Sequence, residues 1–108
     1  MAWEKTCSLK DFEKQSLLRV NVNNQPILLV YDQGHVFAID DRCPHLGASL
    51  AKGSYQNGVI ECPKHHAQID VKTGEIQEKA KIIFIKMPTK KAKTFKTKIE
   101  KEVVFVEV

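Results

Sequence analysis

Cys43-Pro44-His45 and Cys62-Pro63-Lys64-His65 carry the side chains that bind metals, one thiol and one imidazole in each segment. Sixteen residues lie between His45 and Cys62. The short Cys-to-His spacing puts both ligands of a pair on one tight turn, and the proline after each cysteine stiffens that turn by fixing φ. Ligands held in place beforehand lose less freedom when the metal arrives. Four such groups can complete a tetrahedral zinc site. They can equally hold a two-iron, two-sulfide cluster, with both thiolates on one iron and both imidazoles on the other. The spacing argues against a zinc finger, whose two histidines come late and together on a helix. The order here is Cys, His, Cys, His, and no helix follows.

The elements that must position these residues read mostly as short strands. Ala2–Ser8 is the first, and Leu9–Gln15 reads as one helical turn capped by Ser8, with Asp11 in its first turn. Leu17–Val22, Pro26–Tyr31 and Val36–Asp40 form a meander, joined by Asn23-Asn24-Gln25 and by Asp32-Gln33-Gly34-His35. From Asp41 to Glu75 the pattern changes: four of the five glycines and two of the four prolines fall there, marking loops with special backbone geometry. Within it, Val59–Glu61 and Ala67–Val71 read as the legs of one hairpin, followed by the Lys72-Thr73-Gly74-Glu75 turn. Strands resume at Lys81–Met87, Thr94–Glu100 and Val103–Val108, with a lysine-rich linker at Thr89–Lys93. Many short strands without a long helix predict an all-β antiparallel sandwich or barrel-like fold.

At the two ligand segments the sequence resembles the Rieske ferredoxins. The pattern C-x-H-x16-C-x2-H is met in full by Cys43, His45, Cys62 and His65. Around it stand Cys43-Pro44-His45-Leu46-Gly47-Ala48-Ser49-Leu50 and Cys62-Pro63-Lys64-His65-His66-Ala67-Gln68-Ile69-Asp70, then Lys72-Thr73-Gly74. The resemblance implies a single Rieske domain over residues 1–108, an antiparallel three-sheet sandwich with an inserted loop-rich cluster-binding subdomain at about 41–75. It implies one [2Fe–2S] cluster per chain, held by those four residues, and an electron carrier without a substrate site of its own. The expected function is one-electron transfer from a flavin reductase to an oxygenase-type acceptor, by a soluble, cytoplasmic monomer. The alternative is a small Rieske subunit of a larger, nitrite-reductase-like assembly.

The departures from the family pattern carry information too. Rieske proteins of respiratory and photosynthetic complexes have an extra cysteine in each loop, forming a disulfide clamp, where Ala48 and Lys64 stand here. They also place a serine and a tyrosine hydroxyl near cluster sulfur, where this chain has Ala67 and Ile69. Donors to sulfur stabilise the reduced form, so their absence implies the low-potential class. Formal charges agree with easy single-electron chemistry: two ferric ions, two sulfides and two thiolates sum to zero, and reduction adds one negative charge. The iron bearing His45 and His65 is expected to receive the electron, because its ligands are neutral. Free ring nitrogens there would make the midpoint potential fall at alkaline pH.

Composition narrows the remaining options. A chain of 108 residues is expected to form one domain, too short to add the mononuclear iron domain of a Rieske oxygenase. No apolar window approaches the length of a membrane span, and the first residues lack the apolar run of a secretory signal. With three cysteines, a disulfide framework is not expected, and Cys7 reads as a small buried apolar side chain. His35 reads as surface, His66 as pointing away from the metal, Leu46 as a shield or simple packing, and Lys64 as a charge near the docking face. The net charge of +4 is uneven, since residues 79–108 carry 9 Lys against 3 Glu. That excess reads as a solvated face favouring acidic partners, not as a nucleic-acid footprint.

Overall fold

The computed structural model describes residues 2–42, 49–63, 67–78, 81–82, 85–86 and 92–108; for 76–78, 81–82 and 85–86 the description is of strand pairing alone. The chain runs β1 (Trp3–Ser8), β2 (Leu17–Val22), β3 (Gln25–Asp32), β4 (His35–Asp40), β5 (Ser54–Gln56), β6 (Val59–Glu61), β7 (Gln68–Asp70), β8 (Ile76–Glu78), β9 (Lys81–Ile82), β10 (Ile85–Lys86), β11 (Thr94–Phe95), β12 (Thr97–Glu100) and β13 (Val103–Glu107). Three antiparallel sheets carry the fold: a terminal sheet β1–β13–β12, a central sheet β11–β4–β3–β2 and a loop-bearing sheet β5–β6–β7–β8. β9 and β10 pair with each other as a separate ribbon. Short 3-10 turns at Leu9–Phe12 and Leu50–Lys52 complete the described elements. The Ser8 side chain accepts from Lys10 N and Asp11 reaches back to Ser8 N, a reciprocal cap that fixes the first turn.

β3 explains the layering. Its unbroken apolar run, Pro26-Ile27-Leu28-Leu29-Val30-Tyr31, suits a strand buried on both faces. Ile27 and Leu29 enter one core with Val36, Ala38, Val104 and Val106, between the central and terminal sheets. Leu28 and Val30 enter a second core with Leu50, Ile60, Ile69 and Val71, between the central and loop-bearing sheets. Each fully buried aliphatic side chain contributes roughly 1.5–3 kcal/mol relative to exposure, so this one strand anchors both layers. β2 is paired with β3 and alternates across the same divide: Leu17 and Arg19 share the faces of Val30 and Leu28, while Leu18 and Val20 pack into the other core.

Two expectations needed revision. Thr94–Glu100 is two strands, broken at Lys96: β11 pairs with β4, whereas β12 pairs with β13. Alternation puts Phe95, Thr97 and Ile99 on one face; Phe95 packs in the terminal-side core and Thr97 Oγ1 donates to Val36 O at 2.7 Å, but Ile99 is 38% exposed, and alternation says nothing about which sheet each half joins. The described parts of Lys81–Met87 form two strands paired with each other, since an apolar run without alternation fixes no face. The two legs at 59–61 and 68–70 do pair antiparallel with each other, as expected, and are the inner strands of a four-stranded sheet. The linker Thr89–Lys93 lies largely outside the described residues; Ala92 is buried at 4% exposure against the loop-bearing layer.

The two-residue connection of β12 to β13 holds Lys101 at φ 50° and Glu102 at φ 66°. Both are left-handed, the geometry of a primed hairpin turn, which costs side chains with a Cβ about 1 kcal/mol each or more. Replacing Lys101-Glu102 by Asn-Gly is therefore expected to raise stability by about 1 kcal/mol, or roughly 4–8 °C in the thermal midpoint. Calorimetry checks this.

Candidate metal centre

The two ligand segments grow out of one patch of the fold. The first, residues 43–48, is closed at its base by an antiparallel bridge between Arg42 and Ser49. The second, between β6 and β7, is closed by Cys62 N donating to Ala67 O at 2.8 Å. Cys62 is 1% exposed, and with Leu50 and Ala67 it belongs to the core between the central and loop-bearing sheets. Both stems thus stand on the same apolar floor, so relative movement between them would disturb close packing. The turn after β7 is fixed by Asp70, whose Oδ1 accepts from Lys72 N at 2.8 Å and Thr73 N at 3.3 Å.

Cys43, His45 and His65 lie outside the described residues, as do Leu46, Ala48, Lys64 and His66. Of the four expected ligands, Cys62 is therefore the one the structure places. Its buried sulfur at the mouth of a stem-closed loop fits a soft iron–sulfur group. Cys7 is partly buried at the edge of the other core, away from this layer, and burial pushes its thiol above the ordinary value. A thiol that resists ionisation is a poor ligand, in keeping with its reading as a bystander. His35 is exposed, its ring 6.3 Å from that of Phe37. Ala67 and Ile69 are both fully buried, so the two positions that the resemblance compared with hydroxyl donors are here occupied by core packing.

Asp41 is the residue the sequence reading missed. It is 1% exposed, and its carboxylate accepts from Arg19 Nε at 2.9 Å, Ser49 Oγ at 2.6 Å and Ala51 N at 2.8 Å. Its carbonyl accepts from Leu50 N at 2.6 Å and its own N donates to Pro26 O at 3.0 Å. One side chain thus ties the incoming stem of the first loop to the outgoing one. β5 was also missed, although Asn57-Gly58, at φ 51° and 84°, is a hairpin signal that points to it.

Tyr55 on β5 pins the loop-bearing sheet to the central one by donating from its hydroxyl to Asp32 Oδ2 at 2.6 Å. Burial, then this hydrogen bond and the Asp32 charge, push the phenol up to about 12. A folded pKa above the unfolded value of about 10 means stability that is complete below pH 10 and lost as pH rises through 12. The stability difference between wild type and Tyr55→Phe is expected to shrink across that window; denaturant unfolding at pH 9 and pH 12 measures it.

The scaffold thus sets the closed stems of both Cys/His segments over a common apolar floor. A family model described as the Rieske [2Fe-2S] domain matches residues 2–83. The ferredoxin component of biphenyl 2,3-dioxygenase from Rhodococcus jostii (strain RHA1) is 34% identical over 108 residues, covering 100% of this chain and 94% of that protein. Apoptosis-inducing factor 3 from Homo sapiens is 34% identical over 100 residues, 93% of this chain, but the match spans only 15% of that protein's length. Among solved structures, one described as the complex of reduced oxygenase and oxidized ferredoxin in carbazole 1,9a-dioxygenase aligns with a TM-score of 0.79 and 29% identity, over 96% of this chain and 91% of the matched one. The chain belongs to the Rieske [2Fe-2S] domain family, and its cofactor is a [2Fe–2S] cluster.

Proposed function

We propose that Cys43, His45, Cys62 and His65 hold one [2Fe–2S] cluster, and that the chain carries single electrons from a flavin reductase to an oxygenase-type acceptor. The observation that carries this reading is the pair of ligand segments rising from closed stems on one apolar floor, with Cys62 buried at the mouth of the second. The near end-to-end match to a dioxygenase ferredoxin component supports the oxygenase side of the assignment. When bound, the cluster supplies one-electron redox chemistry. The chain's own residues do the rest: the cysteines offer thiolates, the histidines neutral imidazoles, and the core beneath Cys62 keeps water from that side of the site. Among the described residues no helix is long and apolar enough to cross a membrane. The carrier is proposed to act as a monomer in the cytoplasm.

The test uses the reductase and oxygenase components of a biphenyl dioxygenase system, mixed without their own ferredoxin. Product formation is expected to depend on adding this chain and to saturate with it. Turnover that is indifferent to the chain would overturn the carrier reading.

A further inference from the structure

We propose that Arg19 and Asp41 form a positioning pair for the redox centre: the Asp41 carboxylate ties together the two stems from which the first ligand segment leaves, and Arg19 sets the charge that the centre feels. This rests on the ligand reading above. Asp41 lies two residues before Cys43, so at most about 7 Å of chain separates their Cα atoms. Its side chain is 2% exposed, whereas that of Arg19 is 48% exposed. The carboxylate is therefore the poorly screened partner, and its charge reaches a nearby centre with little loss to solvent.

The pair reaches across the fold. Arg19 projects from β2 on the face shared with Leu28, towards the loop-bearing layer, and meets an acid 22 positions later. Ser49 and Ala51 then bind the same carboxylate from the far side of the loop. Reduction adds one negative charge to the centre. An unpaired carboxylate alongside opposes that step, and a paired one opposes it less. Removing each partner should therefore move the potential in opposite directions, which a purely structural role has no reason to do.

The experiment compares wild type, Asp41→Asn and Arg19→Gln as full-length holoproteins at pH 7 and low salt. Midpoint potential is measured by spectroelectrochemistry, and cluster loss by bleaching under an iron chelator. Asp41→Asn is expected to raise the potential and Arg19→Gln to lower it. Both should speed cluster loss severalfold, because each removes a bond made by the carboxylate that ties the two stems of the first loop together. Val106→Ala, which thins the core on the other side of the central sheet, controls for general destabilisation and should leave the potential unchanged. If Asp41→Asn does not fold, Ser49→Ala and Arg19→Gln carry the test, with faster loss in both and a lower potential in the second. Potentials that do not move, or that move the same way in both variants, overturn the pair's role. A wild-type protein without iron and sulfide would instead overturn the ligand reading beneath it.

Discussion

Cys62→Ala is expected to give a colourless protein without bound iron, while Cys7→Ala keeps its full complement. Cys62 sits at 1% exposure at the mouth of the second loop, on the floor shared by both loop stems. Losing its sulfur removes one of the four proposed ligands at a buried point beneath the second loop. Alanine in its place adds a small cavity, worth about 1 kcal/mol or more. The strands should nevertheless persist, because Ile27, Leu29, Val104 and Val106 form a core on the opposite side of the central sheet. Iron analysis and far-ultraviolet circular dichroism on both variants separate loss of the cluster from loss of the fold. Iron retained by Cys62→Ala would remove this residue from the ligand set.

The second large effect falls on Gly74, in the turn after β7. Its φ is +79°, and a Cβ there would run into the Ala92 carbonyl oxygen and crowd Thr94 Cγ2 at 3.3 Å. The neighbour cannot give way freely, since Ala92 N donates to Gly74 O at 2.9 Å and Gly74 N donates to Asp70 O at 2.7 Å. Gly74→Ala is expected to cost about 2–4 kcal/mol, combining left-handed strain with a backbone clash. Gly58 gives the comparison: its φ is +84°, but a Cβ there meets open space. Gly58→Ala should cost only about 1 kcal/mol. Denaturant midpoints for the two variants measure the difference, and equal losses would show that close approach to Ala92 contributes nothing.

The contrast between these residues shows what could be read from the chain alone. The proposed ligands could be picked out because their chemistry and spacing are local: two Cys-Pro segments with nearby histidines are visible without any fold. The apolar run of β3 was legible as a strand, whereas its burial on both faces, with four consecutive side chains at 0% exposure, emerges only from the stacking of the sheets. Asp41 was not legible, because its role depends on partners 8, 10 and 22 positions away that meet only once β2, β4 and the first loop are assembled. In sequence it is one of two adjacent aspartates, and Asp40 beside it does something ordinary, pairing on the surface with Arg42. The break at Lys96 was hidden because alternation reports a face and not a neighbour. β5 was hidden by its polar residues, Ser54-Tyr55-Gln56, whose strand character comes from pairing with β6.

The basic excess of residues 79–108 also takes on a more definite form. Lys98 lies over the Trp3 ring at 4.7 Å and the Phe105 ring at 5.6 Å, and meets Glu100 at 3.3 Å. Lys93 lies over Phe95 at 5.1 Å. These two lysines lie over aromatic rings of the terminal-side strands, so part of the basic excess is engaged within the chain.

The most direct test of the account is the electron paramagnetic resonance spectrum of the dithionite-reduced protein. Mixed ligation by Cys43, His45, Cys62 and His65 predicts a rhombic signal with an average g value well below that of an all-cysteine cluster. A signal at the all-cysteine average, or a colourless, silent preparation holding stoichiometric zinc, would contradict it.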